Sequence, residues 1–166
     1  MRILTGRFKG RSIKTISSTS YRPTQSRIRK SLFDILGPLN GLSFLDLYAG
    51  SGIIGFEAAS RGSDNVTFVE NDYITIKLLH ENVHNFEKNI FSINKKYSLN
   101  YLQTCRGHDI IFADPPYACK ELPELVKLGR DCITPSGTFI LESRTGIELP
   151  ESEDVRIYGD TQLNFW

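Results

Sequence analysis

The 166-residue chain is poor in the residues that would staple, anchor or export it. It has three cysteines, Cys105, Cys119 and Cys132. Their number is odd and none forms a CxxC pair, which excludes a disulfide framework or a zinc ribbon. No apolar run approaches the ~18 residues of a membrane-crossing helix. The first 25 residues lack an apolar h-region, so no signal peptide is expected and a cytoplasmic setting is. Carboxylates are missing from the first 33 residues, and Asp34 is the first. What is present is ordinary for a globular domain: 40% apolar and 23% charged residues, which excludes general disorder. Length near ~150 predicts a single domain with a real core.

The net charge of +1 conceals a division. Residues 1–33 hold nine Lys/Arg and no acid, whereas the remainder holds 11 Lys/Arg against 19 Asp/Glu. A basic end on an acidic body fits a polyanionic partner gripped from one side. A merely solvated extension is the plainer alternative.

The basic end reads as two short strands, 2–5 and 11–16, around a Gly6–Gly10 turn. After a polar linker, Arg22-Pro23-Thr24 opens a helix whose stripe is Ile28, Leu32, Ile35 and Leu36. Gly37-Pro38 ends it. Strands at 42–47, 65–69, 89–93, 108–113 and 138–141 then alternate with helices at 53–60, 72–86 and 120–132. A closing hairpin spans 155–158 and 162–166. Alternation of this kind predicts an α/β fold with a mostly parallel sheet covered on both faces.

Two segments carry chemistry. The first is Leu45-Asp46-Leu47-Tyr48-Ala49-Gly50-Ser51-Gly52-Ile53-Ile54-Gly55, a G-x-G-x-x-G turn between strand and helix. Glu70 ends the following strand, at the spacing of a ribose-binding acid. A turn shaped only for close packing is the alternative. Asp46, four residues before Gly50, would repel a pyrophosphate and suit a cationic amine, which favours S-adenosylmethionine over NAD. The second segment is Asp114-Pro115-Pro116-Tyr117, after an apolar strand. Its prolines remove two donors and leave carbonyls to accept. With the Asp114 carboxylate they suit an exocyclic –NH2, and Tyr117 offers a face for a base. His80-Glu81-Asn82-Val83-His84 matches H-E-x-x-H, but no third ligand follows, so no metal is expected.

These segments, together with Arg2-Ile3, Gly6, Gly10-Arg11, Arg22-Pro23-Thr24, Arg27, Arg29, Leu32-Phe33, Ser60-Arg61-Gly62, Asn82, Glu142 and Tyr158-Gly159-Asp160-Thr161, resemble the bacterial 16S ribosomal RNA guanine-N2 methyltransferases from end to end. The resemblance implies a Rossmann-like class I fold. Its sheet has seven strands, mostly parallel with the last antiparallel, preceded by an N-terminal hairpin and helix. It also implies a basic RNA-contacting extension over 1–36 and a catalytic domain over 37–166. S-adenosylmethionine would lie along Tyr48, Ala49, Gly50, Ser51 and Gly52, with Glu70 and Asn71 at its ribose. Asp114, Pro115, Pro116 and Tyr117 would hold the target guanine. Arg7, Lys9, Arg11, Arg22, Thr24, Arg27 and Lys30 would meet RNA, with Thr24 near the cofactor or target pocket. The implied partner is 16S rRNA in a small-subunit assembly intermediate, met by a monomer. One departure stands out. Family members usually carry an Asp after the third strand for the adenine amino group. Here Asn94-Lys95-Lys96-Tyr97-Ser98 fills that stretch, leaving Asn94 or a backbone carbonyl as the substitute. A DNA adenine-N6 methyltransferase is the runner-up, followed by an NAD(P)-binding protein and a non-catalytic RNA-binding module.

Overall fold

The computed structural model describes residues 1–15 and 26–166. Its elements are α1 (Ser26–Leu36), β1 (Ser43–Leu47), α2 (Ile53–Ser60), β2 (Asn65–Glu70), α3 (Tyr73–His84), β3 (Phe91–Lys95), α4 (Ser98–Leu102), β4 (His108–Ala113), α5 (Leu122–Cys132), β5 (Ile133–Arg144), β6 (Asp154–Tyr158) and β7 (Thr161–Phe165). The strands form one sheet in the order β3-β2-β1-β4-β5-β7-β6. Neighbours from β3 to β5 are parallel, and β7 runs antiparallel between β5 and β6. The chain moves outward from β1 to β3 and then returns to β4, on the other side of β1. This switch point opens a crevice at the carboxyl ends of β1 and β4.

Strand alternation sorts the core into two layers. Phe44, Ile110, Phe112 and Ile140 face the layer that includes Ile28, Leu32, Ile54, Phe56 and Leu79. Leu45, Leu47, Ile111, Phe139 and Leu141 face the layer of Leu102, Leu125 and Val126. Coverage on both faces explains why 110–113 is apolar without a break. The N-terminal Ile3, Phe8 and Ile13 belong to the first layer. Each such side chain contributes about 1.5–3 kcal/mol by leaving water.

Several expectations change. The basic hairpin is reduced to one antiparallel bridge, Arg2 with Ser12, closed by a Gly10 N–H to Ile3 carbonyl bond of 2.9 Å. Residue 16 of that hairpin, Arg22, Thr24 and the predicted helix start fall outside the described residues. Within α1, Ile35 is exposed while Arg29 is buried, so the stripe is rotated toward an ion pair. The short helix α4 lies where the sequence pattern predicts no element. β5 begins at Ile133 rather than 138, and a 3-10 turn (Lys88–Ile90) pushes β3 to 91–95. No described helix is long and apolar enough to cross a membrane.

Candidate active site

Strand register assembles the crevice. Leu47 pairs with Val69 on one side and Ala113 on the other. The next residues, Tyr48, Glu70 and Asp114, therefore leave neighbouring strands side by side. Tyr48 has φ 57°, a conformation that a bulky L-residue adopts only where the surroundings impose it. Burial pushes the pKa of its hydroxyl up to about 12, with Cys119 and Ser98 among the groups that influence it. Tyr48 thus lies near the start of α4 and the segment beyond Asp114.

The glycine turn follows. Ala49 donates its N–H to the Val69 carbonyl at 3.1 Å, and Gly52 closes onto the Ala49 carbonyl at 2.8 Å. Gly52 caps α2 with φ 79°, where a Cβ would also strike Leu79 at 2.6 Å. Gly55 serves packing, since a Cβ there would lie 2.3 Å from the Phe68 ring. Ser51 is buried.

Three carboxylates frame the turn. Asp46, 2% exposed, shares the face of Phe44 and lies beneath α2. Its Oδ2 accepts the Gly55 N–H at 2.9 Å, one of the donors a helix start leaves unpaired. Burial raises its pKa well above the carboxylate range, and the charges of Asp114 and Glu70 add to the rise. Glu70 accepts from the N–H groups of Gly50 (2.9 Å), Asn71 (2.8 Å) and Asp72 (3.0 Å). Two consequences follow. An amide that a pyrophosphate would use at a Rossmann helix start is held by Asp46. The crevice carries negative charge, which suits a cation.

The cofactor candidates at the β2–β3 end are less concentrated. Asn71 is exposed beyond β2. Asn94 lies within β3 opposite Val69, not in the connection that follows it. That connection is Lys96-Tyr97, and Tyr97 is an exposed ring at the start of α4.

The tetrapeptide emerges from β4 with Pro115 buried and Pro116 and Tyr117 exposed. The Pro116 carbonyl accepts the Cys119 N–H at 2.8 Å. That carbonyl, one of those the tetrapeptide leaves to accept, therefore already has one partner. Tyr117, 44% exposed, has the Arg144 guanidinium 4.6 Å from its ring centroid. Arg144 ends β5, and nothing in its local sequence signals this contact. Burial raises the Cys119 thiol pKa, so the sulfur is protonated at neutral pH.

The basic candidates divide. Lys9 and Arg27 are exposed. Arg7 pairs with Glu87 at 3.2 Å, and Lys30 with Asp34 at 2.5 Å. Arg11 donates to the Asn85 carbonyl at 3.2 Å and lies over the Phe8 and Phe86 rings. In the H-E-x-x-H segment Glu81 pairs with Lys14 and Asn82 is buried. Among the described residues no group of three His, Cys, Asp or Glu could hold a metal. A cleft of about 860 Å³ between Arg7, Phe33, Asn40 and Arg61 lies at the amino ends of β1 and β2, away from the crevice, and its charges are mixed.

Comparison with known proteins gives a consistent picture. The family model described as Conserved hypothetical protein 95 matches residues 1–166. YlbH of Bacillus subtilis (strain 168) is 34% identical over 160 residues, covering 92% of this chain and 87% of that protein. Ribosomal RNA small subunit methyltransferase D of Escherichia coli (strain K12) is 32% identical over 133 residues, covering 79% and 67%. The solved structure of the Thermus hypothetical protein TTHA0928 has a TM-score of 0.84 at 32% identity, covering 99% and 98%. The complex of SMU.776 with SAH has a TM-score of 0.71 at 15% identity, covering 95% of this chain and 52% of that one, and speaks for the shared fold.

Proposed function

The chain belongs to the Conserved hypothetical protein 95 family, and from that premise we propose that it methylates the exocyclic N2 amine of a guanine in small-subunit ribosomal RNA. The methyl donor in this reading is S-adenosylmethionine, and the setting is cytoplasmic, with a monomer acting on 16S rRNA in an assembly intermediate. The observation that carries the reading is the acidic crevice itself. Asp46, Glu70 and Asp114 meet at the ends of three adjacent strands, around a glycine turn and beside a ring that a base can stack on. The relative from Escherichia coli bears an rRNA methyltransferase name and supports RNA as the substrate.

These residues fit the donor. S-adenosylmethionine, when bound, supplies a methyl group on a cationic sulfonium. Glu70 would accept from its ribose hydroxyls, in exchange for an amide bond the carboxylate now holds. A bound ammonium group would draw the buried Asp46 toward its ionised form and be met by that charge. Gly50, Ser51 and Gly52 let the backbone approach closely. On the substrate side, Asp114 would accept an amine N–H and aim the nitrogen lone pair at the methyl carbon. The N–C bond forms as the S–C bond breaks, its electron pair stays on sulfur, and the amine releases one proton to water. Catalysis is then mostly positioning and charge complementarity. The base must leave its stack to enter, so an unpaired guanine is the expected target. The protonated Cys119 takes no part.

The test is methylation of small ribosomal subunits from cells lacking this protein, followed by mass analysis of the labelled nucleoside. N2-methylguanosine is expected. N6-methyladenosine would overturn the guanine assignment in favour of the runner-up chemistry. In the same assay Asp114→Ala should abolish turnover while binding of subunits persists, and Cys119→Ala should retain turnover.

A further inference from the structure

Asn82 belongs to neither a metal site nor the crevice, yet it touches both halves of the machine. It lies on the inner face of α3, three residues after the buried Leu79, and is 1% exposed. Its Nδ2 donates to the Ser51 carbonyl at 3.0 Å, inside the glycine turn. The same nitrogen donates to the Lys14 carbonyl at 3.0 Å, and its Oδ1 accepts the Lys14 N–H at 2.9 Å. One side-chain amide therefore acts as a peptide unit for the basic N-terminal segment and as a strut for the cofactor turn.

We infer that Asn82 is a positioning residue that couples occupancy of the cofactor crevice to the ordering of the N-terminal RNA-contacting segment at Lys14. The inference rests on the proposed reading of the crevice and of Arg7, Lys9 and Arg11. The physical basis is shared ordering. A polar amide buried at 1% exposure must keep its partners or lose about 1–3 kcal/mol for each one abandoned. A ligand that fixes the Gly50–Gly52 backbone fixes the Ser51 carbonyl, and with it the Asn82 amide. The Lys14 backbone, next to the buried Ile13, is then held by a partner already fixed in place and loses less freedom when RNA orders it. Arg7 and Arg11 are held along the end of α3 by Glu87 and Asn85, so firmer holding of Lys14 steadies the surface that carries Arg7, Lys9 and Arg11. RNA should therefore bind the loaded protein more tightly, and by linkage RNA should tighten cofactor binding by the same factor. The order this favours is loading before engagement of the large substrate.

The experiment measures binding of small ribosomal subunits, from cells lacking this protein, with and without saturating S-adenosylhomocysteine. This thioether product of methyl donation permits binding without turnover. The native protein should bind about fivefold or more tightly with it, the usual lower range of such coupling. In Asn82→Ala the ratio should fall to near one, whatever each separate affinity does. A second measurement needs no variant: hydrogen exchange of the Lys14 amide in the native protein should slow when S-adenosylhomocysteine binds. A ratio of one in the native protein, an undiminished ratio in Asn82→Ala, or unchanged Lys14 exchange would each overturn the coupling. Failure of S-adenosylhomocysteine or of subunits to bind at all would instead count against the proposed function.

Discussion

Two buried carboxylates show how differently single residues can be used. Glu57 is surrounded by donors, whereas Asp46 has one backbone N–H and two neighbouring carboxylates that oppose its charge. A carboxylate so placed costs stability and is retained for what it binds. The sign follows from its raised pKa. Below the ordinary carboxylate range, folded and unfolded chains both hold the proton and the penalty is absent. As pH climbs from there to the raised value, only the unfolded chain releases it, so stability falls through that window. Asp46→Asn keeps an acceptor for Gly55 and removes the charge. Its melting temperature at neutral pH should equal or exceed that of the native protein, with a flatter dependence as pH rises above the ordinary carboxylate range. Calorimetric titration should show weaker S-adenosylmethionine binding. A clear drop in melting temperature at neutral pH would mean the ionised carboxylate stabilises the fold after all.

At the level of elements, Glu57 is the knot. It is fully buried on α2 and accepts from the N–H groups of Leu4 (2.8 Å) and Thr5 (3.1 Å). It also pairs with Arg61 at 3.0 Å and with Arg29 of α1 at 3.8 Å. Glu57→Gln leaves the 1%-exposed Arg29 charge without its anion, a change that costs about 3–5 kcal/mol in buried pairs. Denaturant unfolding should show a loss of that size, and a loss below about 1 kcal/mol would mean the pair behaves as a surface pair. The same residues show what a sequence conceals. The apolar period places Ile35 in the stripe of α1, because nothing nearby reveals that Arg29 has a carboxylate waiting 28 positions away. By contrast, 53–60 and 108–113 are legible to the residue, since a glycine turn and an unbroken apolar run each carry their own boundaries. α4 escapes because five residues cannot show a helical period. The start of β5 escapes because Thr134-Pro135-Ser136-Gly137 reads as a turn. The register shift opposite His108 accommodates it, and Gly137 leaves room where a Cβ would lie 2.9 Å from the Asp109 carbonyl oxygen. The positions of Asp46 and Glu70 at strand ends are legible from spacing to the glycine turn, and that of Asp114 from the tetrapeptide that follows an apolar strand. Arg144 over Tyr117 and Asn82 beneath Ser51 arise from tertiary packing, which leaves no local mark.

Across the whole molecule the charges are sorted by task. The crevice is acidic and suits a cationic donor, while the cations suited to phosphate lie on the N-terminal segment and α1. Arg29 is withdrawn from that set by Glu57. Arg7, Lys14 and Lys30 are held by Glu87, Glu81 and Asp34 in exposed pairs. Such pairs are worth about 0–1 kcal/mol, so a phosphate can displace the carboxylate at little cost. Arg27 and Lys30 are both exposed on α1. Reversing both charges, Arg27→Glu with Lys30→Glu, should weaken binding of small ribosomal subunits and flatten its salt dependence. For a single strand the slope of log K against log salt changes by about 0.7 for each phosphate that is no longer neutralised. Affinity for S-adenosylmethionine should stay within error of the native value, because neither residue belongs to the crevice proposed for it. Parallel titrations of both ligands across a salt series decide the matter. Loss of RNA affinity with its salt slope, at constant cofactor affinity, identifies α1 as part of the RNA grip. Equal loss of both affinities would show instead that the charges of α1 matter for the fold of the body.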